Sequence, residues 1–258
     1  MKTKIFTLLL AVAAGIGTMN AAIVNGTCGD NLTWSLNTKD STLTIEGYGT
    51  MTSTPWKEHI SFIAYISLPD GLTNIRDNAF SDCVISTISI PTSVNSIGMG
   101  AFMNCTRLLS VEIPMGVTSI ASSTFCGCIN LMSVSIPNSV TNIGGGNFYD
   151  VSGAFQGCTS LSSVILPNSV TTIGDGAFYQ CGLASIEIPN TITEINDYTF
   201  GECRNLSSVT IPNSVEILGA CAFDGCTNLH TIEIPNSVTR IRRGAFADCN
   251  SLALVLMR

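Results

Sequence analysis

The chain has 258 residues, of which 45% are apolar and 11% are charged, and its formal net charge is -7. This length accommodates one large domain or two small ones, and the low charged fraction excludes an intrinsically disordered chain. The acidic balance disfavours nucleic-acid binding, and the presence of only two histidines disfavours histidine-based metal or catalytic sites, so the composition favours a non-enzymatic protein.

Residues 1–21 have the organisation of a secretory signal peptide. A basic start at Lys2 and Lys4 precedes an apolar run over residues 5–16, and a small residue follows at Ala21. The run of about 12 residues is shorter than the roughly 20 that cross a bilayer. We predict an exported protein, secreted or displayed at the cell surface, with no lipobox and no membrane span. The alternative is a buried N-terminal strand or helix.

Residues 22–62 precede a repeated part of the chain and are predicted to form a β-hairpin cap. Residues 32–36 and 43–45 alternate apolar and polar side chains, and the link between them has the composition of a turn. Thr54 and Pro55 are typical of a helix start, with threonine as N-cap and proline at the first helical position. The segment would shield the first repeat; a separate binding domain is the alternative.

An internal repeat follows, and its prolines reveal it. Eight of the nine prolines recur at intervals of 22, 23, 23, 30, 22, 23 and 23 residues. A fixed period of this size is typical of a solenoid. Residues 63–258 are therefore predicted to form eight repeats of about 23 residues and a partial ninth. The prolines are Pro69, Pro91, Pro114, Pro137, Pro167, Pro189, Pro212 and Pro235.

Other residue types recur with the same period, so the aligned repeats have further columns of equivalent residues. The consensus unit is L-x-x-I-x-I-P-x-x-V-x-x-I-G-x-x-A-F-x-x-C. Each unit closes with a phenylalanine, and a cysteine follows three residues later. The phenylalanines are Phe80, Phe102, Phe125, Phe155, Phe178, Phe200, Phe223 and Phe246. The cysteines are Cys83, Cys105, Cys128, Cys158, Cys181, Cys203, Cys226 and Cys249.

The alternating, β-branched stretch before each proline predicts a short strand that the proline ends. We predict turns and short 3-10 segments elsewhere, because Asn, Ser, Thr and Gly dominate there. One unit buries apolar side chains worth roughly 10–20 kcal/mol, whereas ordering it costs on the order of 25–45 kcal/mol. The units must therefore stack. The expected parallel strands, in one continuous sheet, are 65–68, 87–90, 110–113, 133–136, 163–166, 185–188, 208–211 and 231–234.

This pattern resembles the BspA-like, or Treponema-type, leucine-rich repeat. The endings Asp77–Cys83 and Gly244–Cys249 match its A-F-x-x-C motif, and Gly26–Leu36 resembles the cap that precedes such repeats. Departures are Thr124 and Thr199 in the alanine column and a seven-residue insertion. The resemblance implies a β-rich leucine-rich-repeat solenoid of the α/β class, right-handed, with strands on the concave face and an irregular or 3-10 convex side. It also implies a secreted or surface-displayed bacterial adhesion or protein-binding module without catalytic residues.

The outward positions of the strands form the candidate binding face. Hydroxyl side chains dominate it, and three glutamates interrupt them. The partner would be a host or bacterial surface protein, or alternatively a glycan; small polar residues that merely keep a sheet soluble are a further alternative. Aromatic anchors are scarce. The candidate residues are Tyr65, Thr87, Ser110, Glu112, Ser133, Ser163, Ile165, Ser185, Glu187, Ser208, Thr231 and Glu233.

The sequence gives little indication of a metal site or of a reactive cysteine, and we expect no cofactor. The cysteines lack the spacing of a zinc site. Export permits disulfides, but cysteines in one column point the same way from adjacent turns, so we favour buried thiols. The insertion after Ile143 is interpreted as a surface loop rather than a calcium site, with Phe148, Tyr149 and Asp150 as candidate contacts.

The C-terminal residues 252–257 begin a ninth unit that is apolar on both sides. Leu254 and Leu256 stand where earlier units carry polar residues, and Leu252 fits a core column. An uncovered apolar strand can pair with another chain, which predicts weak self-association through Leu252, Leu254 and Leu256. A disordered or truncated tail is the alternative.

Overall fold

The computed structural model describes residues 22–146 and 152–258. They form a β-solenoid of about nine turns with nearly no helix, as the sequence predicts. The signal segment 1–21 and the candidate loop residues Phe148, Tyr149 and Asp150 lie outside the described residues.

The N-terminal part is a three-stranded antiparallel sheet that leads into the solenoid. β1 (Ile23–Gly29), β2 (Leu32–Asn37) and β3 (Thr42–Thr50) pair in that order, so the predicted hairpin is present with one further strand. The helix expected after Thr54 is a 3-10 helix, Pro55–Phe62, and the Thr54 side chain does not cap it. Proline at the first position suits this start, because its missing N–H would have no helical partner there.

Two rows of short strands run along the stacked turns. The first, the face row, holds the segments that precede the prolines and the equivalent segment of the last turn. Its strands are Tyr65–Ser67, Ser110–Glu112, Ser133–Ser135, Ser185–Glu187, Ser208–Thr210, Thr231–Ile234 and Leu254–Met257. The second row follows the prolines and comprises Gly71–Ile75, Ser96–Ile97, Ser119–Ile120, Asn142–Ile143, Thr172–Ile173, Glu194–Ile195, Ile217–Leu218 and Arg240–Ile241.

Two expectations about these strands are wrong. The face row is not one continuous sheet but a series of strand pairs, and segments 87–90 and 163–166 are not strands. A backbone hydrogen bond to the following turn is present just before each segment. Leu109 N–H donates to Ser86 O, and Ala184 N–H donates to Ser162 O. Proline ends each segment and has no N–H, so the ladder of hydrogen bonds between neighbouring turns is only three or four residues long. A small displacement of one turn relative to the next is enough to break so short a ladder.

The second row corrects a further expectation, since these positions were predicted as turns and 3-10 segments. Ile143 pairs in parallel with both Ile120 and Ile173. Each of these strands is only two residues long, and a single isoleucine of each is buried. Such strands exist only because neighbouring turns supply their partners, so no local period of two marks them in the sequence.

A stack of aromatic rings runs through the core of the solenoid. Phe102, Phe125 and Phe155 are fully buried, and their ring centroids lie 5.5 and 5.4 Å apart at interplanar angles of 2° and 11°. The stack begins in the cap, where Trp56 lies 5.9 Å from Phe80. Trp56 therefore takes the phenylalanine position in a turn whose sequence does not match the repeat.

The backbone around each phenylalanine joins neighbouring turns most regularly. Gly100, Phe102 and Asn104 donate their N–H groups to carbonyls of the next turn at 3.1, 2.9 and 2.7 Å. Gly100 and Asn104 have φ values of 63° and 57°, which glycine and asparagine tolerate better than other residues. The recurrence of Gly, Asn and Asp two residues before or after the phenylalanine is the signal for this ladder in the sequence.

Candidate functional site

The candidate binding face lies on the outward side of the face row. All twelve candidate residues are exposed. Strand register aligns them, because Ser110 pairs with Ser133 and Ser185 pairs with Ser208. Thr87, Ser163 and Ile165 lie outside assigned strands but remain exposed at the equivalent positions. The structure therefore places the hydroxyls and carboxylates in rows along the solenoid.

Three hollows, together called the groove, lie beside these rows, between the strands and the residues that follow the prolines; the hollow over residues 88–138 shares no lining residue with the other two. Two sections of it have volumes of about 620 Å³ each, one over residues 88–138 and one over residues 187–258. A third section over residues 163–190 adjoins the second and shares Glu187 with it. The groove gives the face the depth that an extended ligand needs.

Sequence reasoning did not single out the far wall of this groove. Exposed asparagines follow the prolines in successive turns, and Met115 stands in the same column. The repeated Pro-Asn dipeptide was the available signal. The wall asparagines are Asn138, Asn168, Asn190, Asn213 and Asn236.

The charged groups of the groove are mostly acidic. Glu112, Glu187 and Glu233 are exposed carboxylates of the face row. Arg258 donates from Nη1 to Glu233 Oε1 at 3.0 Å. Within residues 22–146 and 152–258, neither Glu112 nor Glu187 forms an ion pair.

The cysteine column lies inside the solenoid, next to the ring stack. Cys128 donates from Sγ to Phe102 O at 3.1 Å, and Cys203 donates to Phe178 O at 3.1 Å. Burial raises the pKa of both thiols from 9.0 to about 12 because the thiolate would lose its hydration. Thiolates are the nucleophilic form, so the column is suited to packing rather than to chemistry.

We expect thiol titration of the unfolded, unreduced protein to find most of the eleven cysteines free. The described cysteines are all reduced in the structure. In the native protein Cys126 and Cys221, which are only partly buried, should react with a thiol reagent before the buried column does. Five disulfides and a single free thiol would contradict this prediction.

Stability should fall in alkaline solution. Below pH 9 a column thiol is protonated in both the folded and the unfolded chain, so its packing contributes fully. Above pH 9 the unfolded thiols ionise, whereas burial keeps Cys83, Cys128 and Cys203 neutral up to a pKa of about 12. Urea unfolding across this window should show a falling midpoint, and a Cys128→Ala, Cys203→Ala variant should show a shallower fall. An equal fall in both proteins would contradict the assignment.

The C-terminal strand Leu254–Met257 pairs in parallel with Thr231–Ile234, and all four of its residues are exposed. Leu252, by contrast, is partly buried and packs against the core. The self-association expected from the sequence therefore depends on Leu254 and Leu256, while Leu252 contributes to folding.

We expect weak self-association of the chain through this strand, because among the described residues no strand pairs with its outer edge, which lies beside apolar side chains. Sedimentation should show more dimer for the unmodified chain than for a Leu254→Lys, Leu256→Glu variant. Identical monomeric behaviour of both proteins at high concentration would contradict the prediction.

The described ranges contain no group of three or more His, Cys, Asp or Glu side chains that could hold a metal ion. In the same ranges, no helix is long and apolar enough to cross a membrane.

Comparison with solved structures and with known sequences agrees with this architecture. A leucine-rich repeat protein of Treponema pallidum is 31% identical over 76% of this chain and 86% of its own, with a TM-score of 0.56. A leucine-rich repeat protein of Bacteroides ovatus, 19% identical over 95% of this chain and 90% of its own, shares the fold with a TM-score of 0.52. No curated protein matches the chain significantly.

The repeats themselves identify the family. The sequence model described as the BspA type leucine rich repeat region (6 copies) matches over two ranges, residues 58–153 and 151–253. These ranges cover more than half of the chain and include every phenylalanine of the ring stack after Trp56. The chain therefore belongs to the BspA-type leucine-rich repeat family.

Proposed function

We propose that this protein is an exported, non-enzymatic adhesion module that binds a protein of a host or bacterial surface. The observation that carries the proposal is the groove beside the face row, where exposed side chains line several successive turns. The stacked turns hold these side chains in place, because the backbone of each turn bonds to its neighbours. A ligand would meet an ordered surface and would spend little free energy on ordering it. Export is supported by the signal-like segment 1–21 and by the family.

The test is capture of proteins from host matrix and bacterial surface extracts by immobilised residues 22–258. A Ser133→Trp, Ser185→Trp variant adds bulk at two exposed positions of the face row. Ser119→Trp is the matched control, because Ser119 is an exposed serine of the second row. Capture that the face variant loses and the control retains supports the proposal.

Two results would contradict it. The first is capture that the face variant retains, since the ligand would then bind elsewhere. The second is capture that survives protease treatment of the extracts, which would indicate a glycan. Denaturant unfolding of each variant checks that lost capture does not reflect a lost fold.

A further inference from the structure

The groove has a net negative charge, which restricts the ligand it can accept. Its charged lining residues are Glu112, Glu187, Glu233 and Arg258. Arg258 pairs with Glu233, so the carboxylates left without a cationic partner in the described ranges are those of Glu112 and Glu187. An acidic ligand would be repelled from this groove, and a basic one would be attracted.

The pair at one end of the groove shows the geometry that these carboxylates accept. Arg258 N–H donates to Ile234 O at 3.0 Å, while its guanidinium reaches Glu233 at 3.0 Å. Arg258 directly follows the face-row strand Leu254–Met257, so the neighbouring turn presents a cationic group to a face-row carboxylate. Glu187 occupies the same column two turns earlier and has no such group.

One apolar side chain protrudes between the two unpaired carboxylates. Ile165 is 86% exposed and lines the groove, in a column that otherwise holds serine, threonine and glutamate. Glu187 follows it in the next turn. An exposed aliphatic side chain at the centre of a polar groove can be covered by an apolar group of a ligand, while the polar rim sets its orientation.

The spacing of these groups follows from the stacking of the turns. The phenylalanines of the turns from Glu112 to Glu187 are Phe125, Phe155, Phe178 and Phe200, with successive centroids 5.4, 5.3 and 5.8 Å apart. Glu112 therefore stands about 11 Å from Ile165 along the axis, and Ile165 about 6 Å from Glu187. In an extended polypeptide only side chains an even number of residues apart face the same side, so separations of four and two residues, about 13 and about 7 Å, place three side chains over these groups.

We propose that the groove binds an extended basic segment of a partner protein. Two cationic side chains of the segment contact Glu112 and Glu187, and an apolar side chain between them packs on Ile165. This inference rests on the proposed protein-binding function and adds the chemistry of the partner.

The test uses a labelled peptide with the sequence Arg-Ser-Ser-Ser-Leu-Ser-Arg, blocked at both ends, and a matched peptide with glutamate in place of arginine. Fluorescence anisotropy with residues 22–258 should show binding of the basic peptide alone. The affinity should weaken when salt rises from about 50 to about 500 mM, because screening reduces attraction between exposed charges.

Four variants locate the contacts. Glu112→Gln with Glu187→Gln should weaken binding by about tenfold or more, and Ile165→Ser by about threefold or more. Glu216→Gln and Ile129→Ser are matched controls, since both residues are exposed and neither lines the groove. Both controls should leave the affinity unchanged.

Absence of binding by the basic peptide would overturn the inference, as would equal binding of the acidic peptide or insensitivity to the groove variants. Failure here is distinguishable from failure of the proposed function. If extract proteins still bind at the face row while the basic peptide does not, the function stands and the basic ligand is rejected. If neither binds, both are rejected.

Discussion

Replacing Phe178 with alanine should destabilise the solenoid by about 3–5 kcal/mol. The ring is fully buried, and it stacks between Phe155 at 5.3 Å and Phe200 at 5.8 Å. Truncation removes contacts on both sides and leaves a cavity that close-packed turns cannot collapse into without breaking their shared hydrogen bonds. Urea unfolding of residues 22–258 measures the change.

Phe246→Ala is the matched control for this prediction. Phe246 belongs to the same column but is only partly buried, and it stacks on one described ring, Phe223, at 5.5 Å. Its loss should cost about 1–2 kcal/mol, since less apolar area leaves water on folding. A cost below about 1 kcal/mol for Phe178→Ala, or an equal cost at both positions, would contradict the central role of the stack.

Trp56→Ala should be comparably destabilising, by about 3–5 kcal/mol, and should act at the cap. The indole is fully buried, with Phe80 on one side and Trp34 5.9 Å away on the other. Its Nε1 donates to Ala79 O at 2.8 Å. In the next turn the equivalent carbonyl, Ala101 O, accepts the N–H of Phe80, so the indole satisfies a carbonyl that a preceding repeat would otherwise satisfy.

The two contributions of this tryptophan can be separated. Trp56→Phe keeps an aromatic ring but leaves the Ala79 carbonyl without this donor, and should cost about 1–3 kcal/mol. Trp34→Phe is the control, because Trp34 Nε1 is buried without a partner in the described part of the chain. It removes an unsatisfied donor and should cost less. Thermal unfolding of both variants measures their losses of stability. An equal loss of stability in the two variants would mean that the hydrogen bond to Ala79 O does not stabilise the fold.

Much of this architecture could be predicted because the same residue types recur at the same position in every repeat. The proline, phenylalanine and cysteine columns imply stacked turns, and the alternation before each proline implies which side chains point outward. Glu112, Ile165 and Glu187 were therefore identified as candidate face residues from their place in the repeat, and the structure shows all three exposed. The family followed from the same columns and is confirmed.

Features that depend on contacts between turns were not predictable in this way. Segments 87–90 and 163–166 have the strand pattern but are not strands, because pairing depends on the offset between neighbouring turns and not on local propensity. Trp56 joins the ring stack from outside the repeat pattern, since only the folded cap brings it to Phe80.

The sequence by itself determined the solenoid, its period, its core columns and the polarity of its outward face, because each depends on the order of side chains within one turn. The tertiary structure decided where strands pair, how the cap ends the stack, and that the face row and the post-proline asparagines enclose a groove. These depend on the separation of residues about 23 positions apart, which stacking sets through shared hydrogen bonds and buried rings.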